Sequence, residues 1–169
     1  MRRWIIALSV LIAGETAGVA RTQLAPPRTV TAHSVSALRA SEQATRAAKA
    51  EIAGDPEDAL KWAAAAIEAN PNDPWGYYDR ADALAELKRT DEAVSSFREA
   101  ERRFAVEHEP WGKSIAIYGE AHALSEVGRC AEARSSYERY ASYVEKADER
   151  SADLARRYSE ECVGRSSIR

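Results

Sequence analysis

The chain has 169 residues, 45% hydrophobic and 30% charged, with only 8 Gly and 6 Pro. That length allows one ordinary domain, the apolar share suffices for a core, and abundant Ala, Glu and Arg, which lose little side-chain freedom in a helix, point to helices. A formal charge of -3 without a basic stripe able to neutralise many phosphates argues against nucleic acid as a partner, although Arg156, Arg157, Arg165 and Arg169 make the C-terminal end locally positive.

Met1, Arg2 and Arg3 form a basic start, Trp4 to Ala13 an uncharged apolar run, and Gly18 and Ala20 bring small residues. That order predicts a secretory signal peptide over residues 1–20, cleaved after Ala20. The alternative is an uncleaved anchor, but the apolar run is about half of the roughly 20 residues a helix needs to cross the hydrocarbon core. Cleavage removes Arg2, Arg3 and Glu15, a net of +1, so the mature charge is -4. No Cys lies near that point to accept a lipid, so the exported mature chain is expected to be soluble rather than lipid-tethered, and after cleavage no integral membrane span is expected. Residues 21–33, RTQLAPPRTVTAH, carry two consecutive prolines and three threonines without helical periodicity, and are expected to be a flexible linker.

Helical patterns then run from about Ser34 to Val163, and they repeat. The segment GDPEDALKWAAAAIEANPND, centred on Ala59, realigns 34 residues later, with Ala93 under Ala59, Ala100 under Ala66 and Glu92 under Asp58. A third copy, GRCAEARSSYERYASYV, aligns on Ala133, with Gly128 under Gly54 and Tyr137 under Phe97. Such a pattern predicts pairs of antiparallel helices, with small residues where backbones come closest and larger apolar residues around them. The expected core is Ala47, Ala50, Ala59, Ala63 and Ala66 in the first copy, and Tyr77, Ala81, Leu84, Ala93, Phe97 and Ala100 in the second. The third adds Ile117, Ala121, Leu124, Ala133, Tyr137 and Tyr140.

On these residues, over roughly Ser34 to Val144, the chain resembles the tetratricopeptide repeat family, whose period is 34. The resemblance implies an all-α, right-handed solenoid of three helical hairpins. Three departures stand out. Gln43 takes a large apolar position of the first copy; the family's leucine before the small residue is Arg46, Arg80 and Glu120, so that position is polar or the helices are turned; and six residues around Ala105 to Pro110 are inserted, predicting a wider loop or a longer helix. Asp148 to Val163 reads as a further helix with Leu154, Ala155, Tyr158 and Cys162 along one face and Arg150, Asp153, Arg157 and Glu160 on the other, suited to cap the array. Residues 164–169 are expected to be a disordered tail.

If the third hairpin turns just before Cys130, then Cys130 opens one helix while Cys162 closes the next, antiparallel one, at the same edge of the array. An exported chain with two such cysteines is expected to join them in a disulfide; the alternative is two small buried thiols.

Nothing points to catalysis. His33, His108 and His122 lack metal-ligand spacing, no phosphate loop, serine elbow or dinucleotide fingerprint occurs, and adjacent acids such as Glu160 and Glu161 are common on solvated helices. No cofactor or metal is expected, and the chain is read as not an enzyme. The resemblance instead implies a concave face lined by the first helix of each hairpin: Ser41, Ala44 and Ala48 in the first copy, Trp75, Tyr78, Asp82 and Glu86 in the second, Ile115, Tyr118, His122 and Glu126 in the third. Aromatic residues beside polar ones suit recognition of a protein or peptide. The competing interpretation makes Trp75 and Tyr118 core residues, with Trp111 covering the inserted segment. The expectation is therefore an exported scaffold or adaptor, in a bacterial periplasm or secreted; the alternative is a structural subunit of an envelope or secretion assembly, able to self-associate.

Overall fold

The computed structural model describes residues 32–166, with side chains described over 37–162. The expected signal peptide lies outside the described residues, as do residues 21–31 of the expected linker and 167–169 of the expected tail. The elements are α1 (Ala32–Ile52), α2 (Pro56–Ala69), α3 (Pro74–Glu86), α4 (Thr90–Val106), α5 (Pro110–Glu126), α6 (Cys130–Val144) and α7 (Glu149–Ser166). Among the described residues there is no strand. The first helix begins two residues before Ser34 and the last runs three past Val163, so each takes residues expected outside the domain.

Each helix packs on the next in sequence, and α1 also touches α3 and α3 touches α5. The odd-numbered helices therefore form the inner layer and the even-numbered ones the outer, as expected of stacked hairpins. Within a hairpin the turn is the same each time. Gly54, Lys88 and Gly128 take positive φ of 71°, 59° and 77°. The following amide then reaches back into the preceding helix: Asp55 to the Ala50 carbonyl, Arg89 to Leu84 and Arg129 to Leu124, each at 2.9 Å. These bonds satisfy carbonyls that a helix C-terminus otherwise leaves unpaired.

Helix starts are equally legible. Pro56, Pro74 and Pro110 open α2, α3 and α5, where a missing N–H costs nothing, and Asp55, Asp73 and Glu109 accept from the amides of Asp58, Trp75 and Gly112. α4 and α6 lack such a cap. There Arg89 and Arg129 instead donate through two guanidinium nitrogens to Glu92 and Glu132.

The core follows the expected pattern. Ala47, Ala59, Ala63, Ala81, Ala93, Ala100, Ala121 and Ala133 are buried, and Phe97, Phe104, Ile117, Leu124 and Tyr137 fill the space between them. Each of those larger side chains contributes about 1.5–3 kcal/mol by leaving water. Tyr77 and Tyr140 are only half-buried; the Tyr77 hydroxyl donates to the Pro71 carbonyl, and the Arg103 guanidinium sits 4.3 Å from its ring centre. In α7 the buried line is Ala152, Ala155, Ser159 and Cys162, whereas Leu154 is 37% exposed. Leu154 precedes Ala155 by one residue, about 100° around the helix, and so leaves the face that Ala155 and Cys162 share.

The polar residues at the family's leucine position share one geometry. Each meets the residue sixteen positions on, in the second helix of its own hairpin. The Arg46 guanidinium lies 4.6 Å from the Trp62 ring centre, Arg80 Nε donates to Ser96 Oγ at 3.0 Å, and Ser136 Oγ donates to Glu120 at 3.1 Å. Position and register are thus those of the repeat, with a polar contact in place of an apolar one. Glu120 is 1% exposed and also accepts from Arg98 at 2.8 Å and from Arg139 at 2.5 Å.

The six inserted residues extend helices rather than a loop. α4 runs past the end of α2, and α5 starts a turn earlier than α3 does in its own register, while the connection stays short, Glu107–Glu109. The sequence Pro-Trp-Gly opens both α3 (Pro74–Gly76) and α5 (Pro110–Gly112). Gly112 permits the close crossing of α5 on α4, since a Cβ there would sit 2.3 Å from the Phe104 ring.

Cys130 and Cys162 form the disulfide, with Cα atoms 5.4 Å apart, joining the first residue of α6 to the last turns of α7. Cys162 Sγ also lies 3.9 Å from the Ser125 carbonyl of α5, which sets the cap helix against two elements of the last hairpin.

Candidate functional site

The residues expected on the concave face divide into a floor and a rim. Trp75 is half-buried at the start of α3, its ring edge-on to Phe104 at 5.0 Å and to Tyr78 at 5.9 Å, and 5.5 Å from Trp111. Tyr78 in turn meets Phe97 edge-on at 5.8 Å. These two aromatics therefore pack on the core and show only part of their surface. Ile115 is half-buried on α5, and in α1 Ser41 and Ala48 are exposed with Ala44 half-buried.

The rim is acidic. Asp79, Asp82 and Glu86 follow Tyr78 along α3, and Glu51 faces them from α1. Burial and then the neighbouring Asp82 and Glu86 carboxylates push the Glu51 carboxyl up to about 7. Burial, with Glu51, Asp73 and Asp82 behind it, pushes Asp79 up to about 7 as well. Asp82 is raised by burial and Glu86, against a lowering influence of His122. Tyr78, buried beside Asp82 and Glu51, is pushed up to about 12, so its phenol stays protonated. Burial is the first cause in each case, and crowding of the carboxylates adds to it. Ion pairs elsewhere are frequent, yet Glu51, Asp79, Asp82 and Glu86 join none among the described residues. Glu51 Oε1 is buried with no hydrogen-bond partner.

The third-copy residues Tyr118, His122 and Glu126 come together with residues that the sequence did not mark as a site. With Ser125, Tyr137, Tyr158 and Glu161 they line a cleft of about 210 Å³ between α5, α6 and the cap helix. Tyr118 stacks on His122 at 6.2 Å and meets Tyr137 and Tyr140 edge-on, and Tyr137 lies 6.1 Å from Tyr158. Burial raises the Tyr118 phenol, with Tyr158 and Tyr140 adding to it. Glu126 reaches Lys88 at 3.8 Å across exposed surface. Tyr158 carried a sequence signal only as part of a capping helix and Glu161 only as one of two adjacent acids; the 3.6-residue period puts Glu161 three positions after Tyr158, on one side of α7.

Exposed apolar side chains occur on α1, at Leu38 and at Ile52 beside the rim, and at the turn between α4 and α5. Val106 and Trp111, at the extended ends of α4 and α5, are 70% and 61% exposed. Beside them Phe104, His108, Pro110, Lys113 and Tyr143 border an open hollow of about 290 Å³. Among the described residues no His, Cys, Asp and Glu group is placed to hold a metal ion, and no helix is long and apolar enough to cross a membrane.

Residues 63–95 match the family described as tetratricopeptide repeat. That span runs from the second helix of the first hairpin into α4, so it straddles two hairpins rather than framing one. Among solved structures the chain is similar to that titled "TPR2B-domain:pHsp70-complex of yeast Sti1", with a TM-score of 0.63 and 21% identity over 73% of this chain and 98% of that one. Comparison with curated proteins gives no match.

Proposed function

We propose that this tetratricopeptide repeat protein is an exported adaptor that holds a protein segment of positive charge along its inner face and catalyses nothing. The observation that supports it most is the line of unpaired carboxylates from Glu51 through Asp79, Asp82 and Glu86, set on aromatic residues in the layer formed by the odd-numbered helices. A basic segment laid there would relieve the repulsion that, after burial, raises these carboxyls, and complementary charge speeds encounter and fixes register. The solved tetratricopeptide domain it resembles is titled as a complex with pHsp70, which accords with a protein or peptide partner for this fold.

Export, with a bacterial periplasm as the compartment, rests on the basic, apolar and small residues of positions 1–20. The alternative of a structural subunit is favoured by one feature, the exposed Val106 and Trp111 at the protruding turn, which would be buried in an assembly.

Affinity capture from envelope extract separates the two. Wild-type protein should retain a partner that an Asp82→Lys, Glu86→Lys variant loses while a Trp111→Ser variant keeps it. Loss with Trp111→Ser alone, or capture of nothing but the chain itself, would turn the assignment to the structural subunit. Fusion of residues 1–33 to a reporter, with cleavage after Ala20 read by mass spectrometry, tests export.

A further inference from the structure

We propose that the cleft between α5 and the cap helix α7 is a socket for one cationic side chain, arginine in preference to lysine, of the segment held on the inner face. The cleft has the two components such a ligand needs. Tyr118 and Tyr158, both half-buried, provide ring surface above the buried Tyr137, and a guanidinium over tyrosine faces is attracted by their negative quadrupole. Glu126 and Glu161, one from each wall, provide charge. Glu161 has no ion pair among the described residues, and the Glu126–Lys88 pair is long and solvated, so both carboxylates can turn to a ligand. Arginine is favoured because its flat fork can stack on a ring and pair with a carboxylate at once, whereas an ammonium is a compact, strongly hydrated point charge.

Size points the same way. At about 210 Å³ the cleft is smaller than the roughly 300–1,000 Å³ of sites that hold drug-sized molecules or cofactors, and one long side chain fits that scale. The socket also lies where the acidic rim ends: His122 of the cleft is close enough to Asp82 to influence its carboxyl. A chain lying along α1, α3 and α5 would therefore deliver a side chain to it. The disulfide at Cys162 anchors α7 one residue from Glu161, which fixes the far wall.

That the side chain comes from a bound partner rests on the inner-face assignment above; the chemistry of the socket does not. The test uses four acetyl-Ala-X-Ala-amide tripeptides, with X arginine, lysine, citrulline or norleucine, titrated into the oxidised protein and followed by two-dimensional NMR. Citrulline keeps the shape of arginine without its charge. The arginine peptide should bind with a Kd of about a millimolar, moving the signals of Tyr118, His122, Tyr158 and Glu161. Lysine should be weaker, and citrulline and norleucine at least tenfold weaker. Glu161→Gln, an exposed and isosteric change, should weaken arginine at least threefold, and Tyr158→Leu should remove binding in protein that remains folded by its spectrum.

Equal affinity for arginine and citrulline, or shifts confined to Glu51, Asp79 and Asp82, would overturn the socket; the latter would leave the inner face standing as a cation-binding surface. Arginine binding in the cleft together with partner capture indifferent to Asp82→Lys and Glu86→Lys would confirm the socket and sink the inner-face assignment.

Discussion

Glu120 offers the sharpest test of how this fold tolerates charge at a position where tetratricopeptide repeats carry leucine. Its carboxylate is 1% exposed, whereas the arginines that meet it are largely in water, with side chains 61% (Arg98) and 44% (Arg139) exposed. The two ends of the network should therefore respond differently to deletion. Arg98→Met with Arg139→Met keeps the aliphatic stems but strands a buried carboxylate with Ser136 alone. Breaking a buried pair in that way costs about 3–5 kcal/mol. The double variant should thus lose about 3 kcal/mol, roughly 10 °C in melting temperature. Glu120→Leu removes the charge that suffers from burial and leaves the two arginines free to hydrate, so it should fall within about 1 kcal/mol of wild type or above it. Urea melts followed by circular dichroism at pH 7 decide the matter. If Glu120→Leu is the more damaging change, the network is a net source of stability and the desolvation reasoning is wrong.

The raised Glu51 and Asp79 carboxyls make stability fall as pH rises: their contribution is fully present below the unfolded-state values near 4 and is lost as pH passes about 7. Because both groups are partly solvated and Glu51 itself helps to raise Asp79, the expected loss between pH 5 and pH 8 is only about 1–2 kcal/mol, and Glu51→Gln with Asp79→Asn should flatten it in paired melting curves. Reducing the Cys130–Cys162 bridge, or Cys130→Ser, should cost about 3–4 kcal/mol for a loop of this length; coincident melts with and without reductant would show that it staples nothing. Lys88 holds a left-handed φ where the other hairpins have glycine, so Lys88→Gly should stabilise by about 0.5–1 kcal/mol, the weak exposed contact with Glu126 offsetting little. A lower denaturation midpoint for that variant would contradict the shared-turn account.

Much of the architecture is legible in the sequence, because small residues recurring every 34 positions constrain where helices cross. Ala59 and Ala93 are buried in matching places, and Cys130 and Cys162 meet because antiparallel neighbours bring those helix ends together. What the sequence leaves open is decided in three dimensions. Whether Arg46, Arg80 and Glu120 turn the helices or are accommodated depends on what stands sixteen residues on, which an apolar pattern does not encode. The insertion reads equally as loop or helix until Pro-Trp-Gly is seen to restart α5 a turn early. Trp75 and Tyr78 signal recognition by residue type, yet their rings lean on Phe104 and Phe97. The acidic rim needs Glu51 of one hairpin beside Asp79 and Asp82 of the next, and the cleft needs the cap helix; periodicity within one repeat shows neither.

The most direct test of the central claim is photo-cross-linking in living cells from a benzoylphenylalanine placed either at inner position 82 or at outer position 95. A discrete adduct with another protein from position 82, absent from position 95 and suppressed by Glu86→Lys, is the predicted result. Equal adducts from both positions, or adducts only with a second copy of the chain, would contradict it.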